Sequence, residues 1–527
     1  MQTNRKSLQA IALVWVFFIV RGLHSIMILP LWGGFDEWLH YSYVAYLSET
    51  GKLPVQNVPS VPQEVYESIQ LTPADSYTWG QPSFAQFWTL TKEERATRIL
   101  KLEKILCQPE TQYKISSWQA QHPPLFYGIL VPIYKILHGT SLVGCVRILR
   151  IVSILIASLA LWPAYRLMRL FLDSQESLFG LLLIAAYPAT FILLGHLTND
   201  CLAFPIVTAL IFLTLHQWQK GITLKTSVLS GLLLGLGLMT KLYCLTLLPL
   251  LMADYLYWFL RLKEGKAALL KYVFFFGLTA LLVSGWWFRH NLLSYGTWNP
   301  TVHTVETNRL SLAEKFKAIP RVDWKSFIIS NVIGILWAGN WSFVPFPSAV
   351  YKIFSFALLT LGLVLLIHLW RSRQDKELWS MEILILGSSI SFLLGMIQHQ
   401  IHIRLPGNMD SMGGWYWTVL LPTHILLSFS AVRSLVPGFK LKIFKTTLLI
   451  FYALTLWAYD GILLPYYTGL LTKFQITQGF FHSFSWRESL QRIASLNSLS
   501  PSALPFLAVT EIVLFCVALR HCVQGDL

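Results

Sequence analysis

Apolar residues fall in long, unbroken blocks along nearly the whole chain, separated by short polar punctuation. Blocks lie near 8–31, 148–166, 177–196, 201–219, 226–240, 243–260, 270–288, 350–370, 380–398, 415–432, 443–463 and 501–519. A helix needs about 20 apolar residues to cross the hydrocarbon core of a bilayer, and most of these blocks approach or exceed that length. They are continuous and do not alternate, which excludes a transmembrane β-barrel. The pattern therefore predicts an all-α fold, a polytopic transmembrane helical bundle of about 12 spans. Two further blocks read differently. Residues 124–137 (PLFYGILVPIYKIL) are too short to cross and predict an interfacial or re-entrant helix. Residues 326–346 are read as dipping into the membrane from the outer side.

Charge sets the expected orientation. Arg5/Lys6, Arg166/Arg169, Lys220/Lys225, Arg261/Lys263/Lys266/Lys271, Arg371/Arg373/Lys376 and Arg433/Lys440/Lys442/Lys445 all fall on one side of the threaded chain. The opposite short loops hold only Lys241 and Arg404. Basic residues concentrate in cytoplasmic loops, so both termini are predicted to be cytoplasmic. Counting 124–137 as a crossing would reverse every later loop. The composition agrees: 54% hydrophobic and 13% charged, against about 25% charged for a soluble domain. The formal charge of +15 then reflects retention at the inner leaflet and not nucleic-acid binding. The first block is too long for a removed signal peptide and lacks a small-residue cleavage site, so it is read as a retained anchor. The six cysteines (107, 145, 201, 244, 516, 522) show no metal-type spacing, and neither a disulfide framework nor a zinc site is predicted.

One membrane unit is expected over 1–527, with extracytoplasmic segments at 32–147, 289–349 and 464–500. In the first of these, residues 36–50 predict a helix ended by Gly51, with Pro54 beyond. Thr91 to Glu94 reads as a capping box that opens a helix through about Cys107, with Glu94 and Arg98 able to pair. Residues 52–90 read as irregular loop.

Threading brings Asp36, Glu37, His40, His122, Asn199, Asp200, Lys241, Arg289 and His290 to the outer rim. Ionisable groups at membrane depth are costly and are functional candidates. Each also has a plain structural reading. Asp36 and Glu37 suit the start of a helix, and Asn199-Asp200 suit a cap. Lys241 fits a turn, Arg289 an interfacial cation, and His122 a loop. Arg21, midway along the first span, must pair with something that the sequence does not reveal.

In order, the motifs are Asp36-Glu37-x-x-His40, Gly51-x-x-Pro54, His122-Pro123-Pro124-Leu125, Asn199-Asp200 and GLLLGLGLMTK ending at Lys241. Later come the stretch from Trp337 to Tyr351 and Gly413-Gly414-Trp415-Tyr416 before Pro422. This set resembles the GT-C superfamily of integral-membrane glycosyltransferases, which use polyprenyl-phosphate-linked sugars. That superfamily includes protein O-mannosyltransferases, the lipid A aminoarabinose transferase and oligosaccharyltransferases; the similarity is strongest to a bacterial multi-pass branch. The resemblance implies a glycosyltransferase acting with inversion, with Asp36 as general base and Glu37 beside it as a second catalytic residue. It implies substrate contacts from His40, His122, Asn199, Asp200, Lys241, Arg289, Arg404 and Tyr416. The late motif reads Gly-Gly-Trp-Tyr where the family has Gly-Arg-Tyr, so Arg404 is the candidate replacement for a missing arginine. No cofactor is certain; a divalent metal is conceivable, with Asp36 and Asp200 as its candidate ligands. The implied partners are a polyprenyl-phosphate-linked sugar donor, a glycan, lipid or protein acceptor, and membrane lipids, with no nucleic acid. A bacterial inner membrane is the expected location. The competing class is a transporter or flippase of a lipid-linked glycan, since broken helices such as 231–245 also suit transport. A non-enzymatic scaffold is a third class.

Overall fold

The computed structural model describes residues 5–74, 80–109, 112–263, 265–307, 310–317, 319–340, 342–404, 413–479 and 485–524. Among them, ten helices are long and apolar enough to cross a membrane. The protein is an integral, multi-pass helical bundle. These ten match ten of the predicted spans. The other two predicted spans are shorter helices, Ser174–Ala186 and Leu224–Leu238. The blocks at 124–137 and 326–346 form the short helices Leu125–Ile136 and Trp324–Leu336.

The elements that position the site are α1 (Arg5–Ile28), α2 (Glu37–Thr50), α3 (Leu125–Ile136), α4 (Leu142–Ser158) and α5 (Ser174–Ala186). They continue with α6 (Asp200–Lys220), α7 (Leu224–Leu238), α8 (Leu248–Arg261), α9 (Lys266–Tyr295), α10 (Trp324–Leu336), α11 (Ser348–Ser372) and α12 (Lys376–Arg404). Three more complete the set: α13 (Leu421–Leu435), α14 (Lys440–Leu456) and α15 (Ala503–Gln524). α6 is the central post, packed against α4, α7, α8 and the 3-10 turn Gly414–Leu420. α1 lies against α4, α5 and α15.

Why α5 stops short is legible in its residues. Tyr187 precedes Pro188, and a residue before proline is pushed out of the α region; Tyr187 sits at φ −72° and ψ 136°. The chain then runs as a 3-10 turn, Pro188–Leu193. The carbonyls freed at this broken end need donors inside a membrane. Arg21 supplies them. Its Nη2 donates to the Tyr187 carbonyl at 3.0 Å, and its Nη1 donates to Thr190 Oγ1 at 2.9 Å and to the Ala185 carbonyl. A buried cation at a helix C-terminus also meets the negative end of the dipole. One turn along α1, His24 lies 2.6 Å from Glu511 on α15 and 3.3 Å from Asp460, which follows α14.

Lipid offers no hydrophobic force to press helices together, so close contact depends on small residues. α7 meets α9 through Gly231 and Gly235. A Cβ added at Gly231 would collide with the Phe276 carbonyl, and one at Gly235 would lie 2.7 Å from Val283 Cβ.

The segment between α1 and α4 is more ordered than its composition suggests. Within 52–90, Pro59–Pro62 pairs antiparallel with Tyr113–Ser116, and Gln63–Leu71 and Phe84–Thr89 are helical. This corrects the expectation of irregular loop. Ser83 and Gln86 form a reciprocal capping box that starts the second of these helices, a signal shorter than the Pro- and Ser-rich stretch that hides it. The capping box at Thr91 and Glu94 forms as expected and opens Lys92–Lys104. Arg98, expected to pair with Glu94, donates instead to the Gln70 carbonyl at 3.0 Å.

The α7–α9 contact generates a paired expectation. Gly231→Ala forces two backbones apart and lowers thermal stability in detergent by about 1–3 kcal/mol, the cost of overpacking. Gly277→Ala, on α9 with nothing within 4 Å of the added Cβ, leaves the melting temperature unchanged.

Candidate active site

α1 ends at Ile28, and the chain passes Pro30 and Gly33-Gly34 before α2 begins at Glu37. Asp36 occupies the N-cap position but does not cap. Its backbone is left-handed, φ 51° and ψ 20°, and its side chain makes no bond to the helix. Only its carbonyl serves α2, accepting from the Leu39 and His40 amides at 2.9 and 3.0 Å. A left-handed backbone costs an L-residue roughly 1–2 kcal/mol. The cost is consistent with a carboxylate turned away from the helix for another use. That carboxylate accepts from Gln119 Nε2 at Oδ2, 2.9 Å. Gln119 stands on the 3-10 turn Trp118–Gln121, which Ser117 caps. Asp36 Oδ1 is buried and accepts no well-formed hydrogen bond. Burial pushes this carboxyl up to about 6, against the pull of Trp118, Lys241 and Gln119.

Glu37, the next residue, has the opposite fate. It is fully buried, and Arg150 of α4 holds it through two parallel bonds, Nε to Oε1 at 2.8 Å and Nη2 to Oε2 at 2.6 Å. The Leu197 amide donates to Oε1 at 3.1 Å. Arg150 also donates to the carbonyls of Leu29 and Pro30, at 2.9 and 2.7 Å. One guanidinium therefore fixes the end of α1, the start of α2 and the turn before α6. Both oxygens of Glu37, expected to share the catalytic role with Asp36, are committed to these bonds, which fix the backbone next to Asp36.

The second acid lies at the start of α6. Neither Asn199 nor Asp200 caps: Asn199 makes no side-chain cap bond, and its Nδ2 reaches the Thr240 carbonyl at 3.3 Å. Asp200 Oδ2 accepts from Lys241 Nζ at 2.6 Å, and Oδ1 accepts from Tyr243 Oη at 2.8 Å. Lys241 is 7% exposed, with its ammonium 4.8 Å from the Tyr416 ring centre and 5.4 Å from that of Tyr243. The charge of Lys241 acts on Asp36 as well. Both acids thus share one cation. His40 bonds through Nδ1 to Tyr127 Oη at 2.9 Å and stacks on His122 at 6.2 Å. Burial first, and the Lys241 charge second, hold both imidazoles well below their ordinary range, so both are neutral at pH 7.

The late motif completes the wall. Gly414 packs directly on the backbone of α10 at Ser330 and Asn331, and Gly334 of α10 packs on Gly414 in return; neither leaves space for a Cβ. Trp415 then stacks on Phe35 with ring centres 4.7 Å apart and 14° between planes. A cavity of about 430 Å³ opens beside these groups. His122, Lys241 and Tyr416 line it, as do His399, Gln400 and His402 near the end of α12.

Asp36, His40, Asn199 and Asp200 stand behind this lining, joined to it through Lys241, His122 and Thr240, whereas two predicted contacts are not brought to the cluster. Arg289 is exposed on α9, on the same helical face as Leu282, Trp286 and Leu293, which are 73%, 50% and 72% exposed. It does not line the cavity; the period of α9 turns it outward. Arg404 donates to the Arg321 carbonyl at 3.0 Å and is likewise absent from the lining. The sequence reading missed Gln119, Arg150, Tyr243 and the His399/His402 pair. Arg150 carried a signal, a cation inside an apolar run. The histidines fall at i and i+3, one helical face.

A divalent metal does not fit these residues. Asp200 spends both oxygens on Lys241 and Tyr243, and among the described residues no three His, Cys, Asp or Glu side chains converge.

Arg150→Ala would leave Glu37 charged and unpaired inside the protein, a loss of roughly 3–5 kcal/mol. The expected result is a large drop in thermal stability. Arg150→Ala/Glu37→Leu recovers part of it, measured by thermal unfolding in detergent.

Residues 121–287 match the family model described as dolichyl-phosphate-mannose-protein mannosyltransferase. No curated protein matches the chain. Among solved structures, the oligosaccharyltransferase of Archaeoglobus fulgidus, in complex with Zn and sulfate, is similar at 13% identity and TM-score 0.46, over 92% of this chain and 61% of that one. The chain thus spans less than two thirds of that protein's length. ArnT from Cupriavidus metallidurans bound to undecaprenyl phosphate is similar at 14% identity and TM-score 0.43, over 87% of this chain and 74% of that one. The matched stretch holds His122, Asn199, Asp200 and Lys241, and it bears out the GT-C glycosyltransferase resemblance that the motifs carry.

Proposed function

We propose that this protein transfers a sugar from a polyprenyl-phosphate carrier to an acceptor, with Asp36 as general base. One observation carries the reading: Asp36 is held in a left-handed backbone, freed from capping, half-buried, and placed within reach of the charge of Lys241, which pairs with Asp200 and lines the cavity. A carboxyl raised to about 6 is ionised at neutral pH yet close enough to the working pH to accept a proton well.

In this mechanism the acceptor's hydroxyl or amide gives its proton to Asp36 as its oxygen or nitrogen attacks the anomeric carbon. The bond from that carbon to the phosphate oxygen breaks, and the polyprenyl phosphate leaves with the electron pair. Attack opposite the leaving group inverts the anomeric centre. Lys241 supplies positive charge for the leaving phosphate, held in place by Asp200 and the Tyr416 ring. His40, His122 and Asn199 offer neutral polar contacts. The basic loops support an extracytoplasmic site with both termini in the cytoplasm, in a bacterial inner membrane. The acceptor is a glycan, a lipid or a protein.

Labelled polyprenyl-phosphate mannose in detergent tests this directly. Release of polyprenyl phosphate with a glycosylated product supports the enzyme; vectorial movement in vesicles without bond cleavage supports a transporter and sinks the proposal. Asp36→Asn is expected to lower transfer by roughly 10²–10⁴-fold with thermal stability retained, and near-normal turnover would remove Asp36 from the mechanism. Since the base must be ionised, the wild-type rate is expected to fall about tenfold per pH unit below a midpoint near the Asp36 value of about 6. A flat rate from pH 7 to pH 5 would contradict that assignment.

A further inference from the structure

Two cysteines, one in the segment between α2 and α4 and one at the start of α4, are brought close by the backbone. Cys107 follows the helix Lys92–Lys104, and Cys145 lies in the first turn of α4. Both are fully buried. Their side chains lie close enough to act on each other and on Tyr41, and both are free thiols in this structure. The backbone around them is already laced together. Leu106 and Ser141 form an antiparallel bridge. The Cys107 amide donates to the Thr140 carbonyl at 2.8 Å, the Gly139 amide donates to the Cys107 carbonyl at 2.7 Å, and the Leu142 amide donates to the Ile105 carbonyl at 2.8 Å.

We propose that Cys107 and Cys145 are a thiol pair that becomes a disulfide in the mature protein. The inference rests on the extracytoplasmic placement of this segment, since that side of a bacterial inner membrane is oxidising. The co-reactant is a disulfide donor of the thiol oxidoreductase class. One cysteine thiolate attacks the donor's disulfide and forms a mixed disulfide, releasing one donor thiolate. The second cysteine then displaces the other donor sulfur. Two electrons and two protons pass from the cysteine pair to the donor, which leaves as a dithiol. The exchange takes place while the segment folds, before the thiols are covered.

The bond would close the stretch that carries Ser117 to His122. That stretch presents Gln119 to Asp36 and His122 to the cavity. Cross-linking its two ends removes freedom from the unfolded chain and holds the turn against the acid. The disulfide therefore serves the site, although neither sulfur touches it.

The test uses full-length protein, trapped with N-ethylmaleimide at lysis, then denatured and labelled with PEG-maleimide before and after reduction. Reduction in the second arm precedes fresh labelling. The expected result is a gain of two PEG adducts after reduction in the wild type and no gain in Cys107→Ser or Cys145→Ser. No gain in the wild type overturns the disulfide. A separate Lys52→Cys variant, at an exposed position of the same segment, is probed on intact cells with a membrane-impermeant maleimide. Labelling there with no PEG gain in the wild type refutes the disulfide alone. Protection there, together with no PEG gain, refutes the membrane placement on which it rests. If the serine variants fail to accumulate, the wild-type comparison still decides.

Discussion

The geometry of the candidate site depends on one buried ion pair. Arg150 grips Glu37 with two parallel bonds and at the same time holds the carbonyls of Leu29 and Pro30, just past α1. In a low-dielectric interior a lone member of such a pair would be severely destabilising, and the pair is tolerable because nearly every donor and acceptor is matched. Four pieces of chain thereby take a common reference point: the end of α1, the start of α2, the body of α4 and the loop at Leu197. Asp36 is the residue left between two fixed points. Its left-handed backbone follows from that constraint, and the turn of its carboxylate away from α2, toward Gln119, follows from the backbone.

Around this anchor, other buried polar groups share a logic suited to lipid. Where a helix breaks, a side chain from elsewhere completes it. Arg21 does this for the end of α5, and Asn199 meets the Thr240 carbonyl where α7 has ended. Where helices must approach closely, glycine replaces hydrophobic pressure, as between α7 and α9. The site is built from the same parts. Lys241 follows the end of α7 and Asp200 opens α6, so the two helix breaks place opposite charges within one hydrogen bond.

Much of the fold was legible in the residues because membrane spans declare themselves by length and polarity alone. The twelve apolar blocks became helices, and the two short blocks proved to be short helices. Asp36, Asp200, Lys241 and His122 were legible for a related reason, since charge and imidazole are conspicuous next to hydrocarbon. What stayed hidden depended on rotation and on partners distant along the chain. Arg289 and Lys241 look alike in sequence, yet the period of α9 turns one outward. Glu37 and Asp36 are neighbours of the same chemistry, and only the position of Arg150, more than a hundred residues on, separates an acid locked in an ion pair from one that is not. Gln119 and Gln400 carry no charge, and nothing in a linear reading distinguishes them from surface amides.

Gly414 has an implication for the shape of the chamber. Its Cα rests on the main chain of α10, and that contact exists only because the position is bare. Any side chain in its place would have to lift α10 away and disturb the neighbouring Trp415–Phe35 stack. Gly413 and Tyr416, on either side of this point, line the cavity. A single bare position outside the chamber thereby governs the chamber's outline.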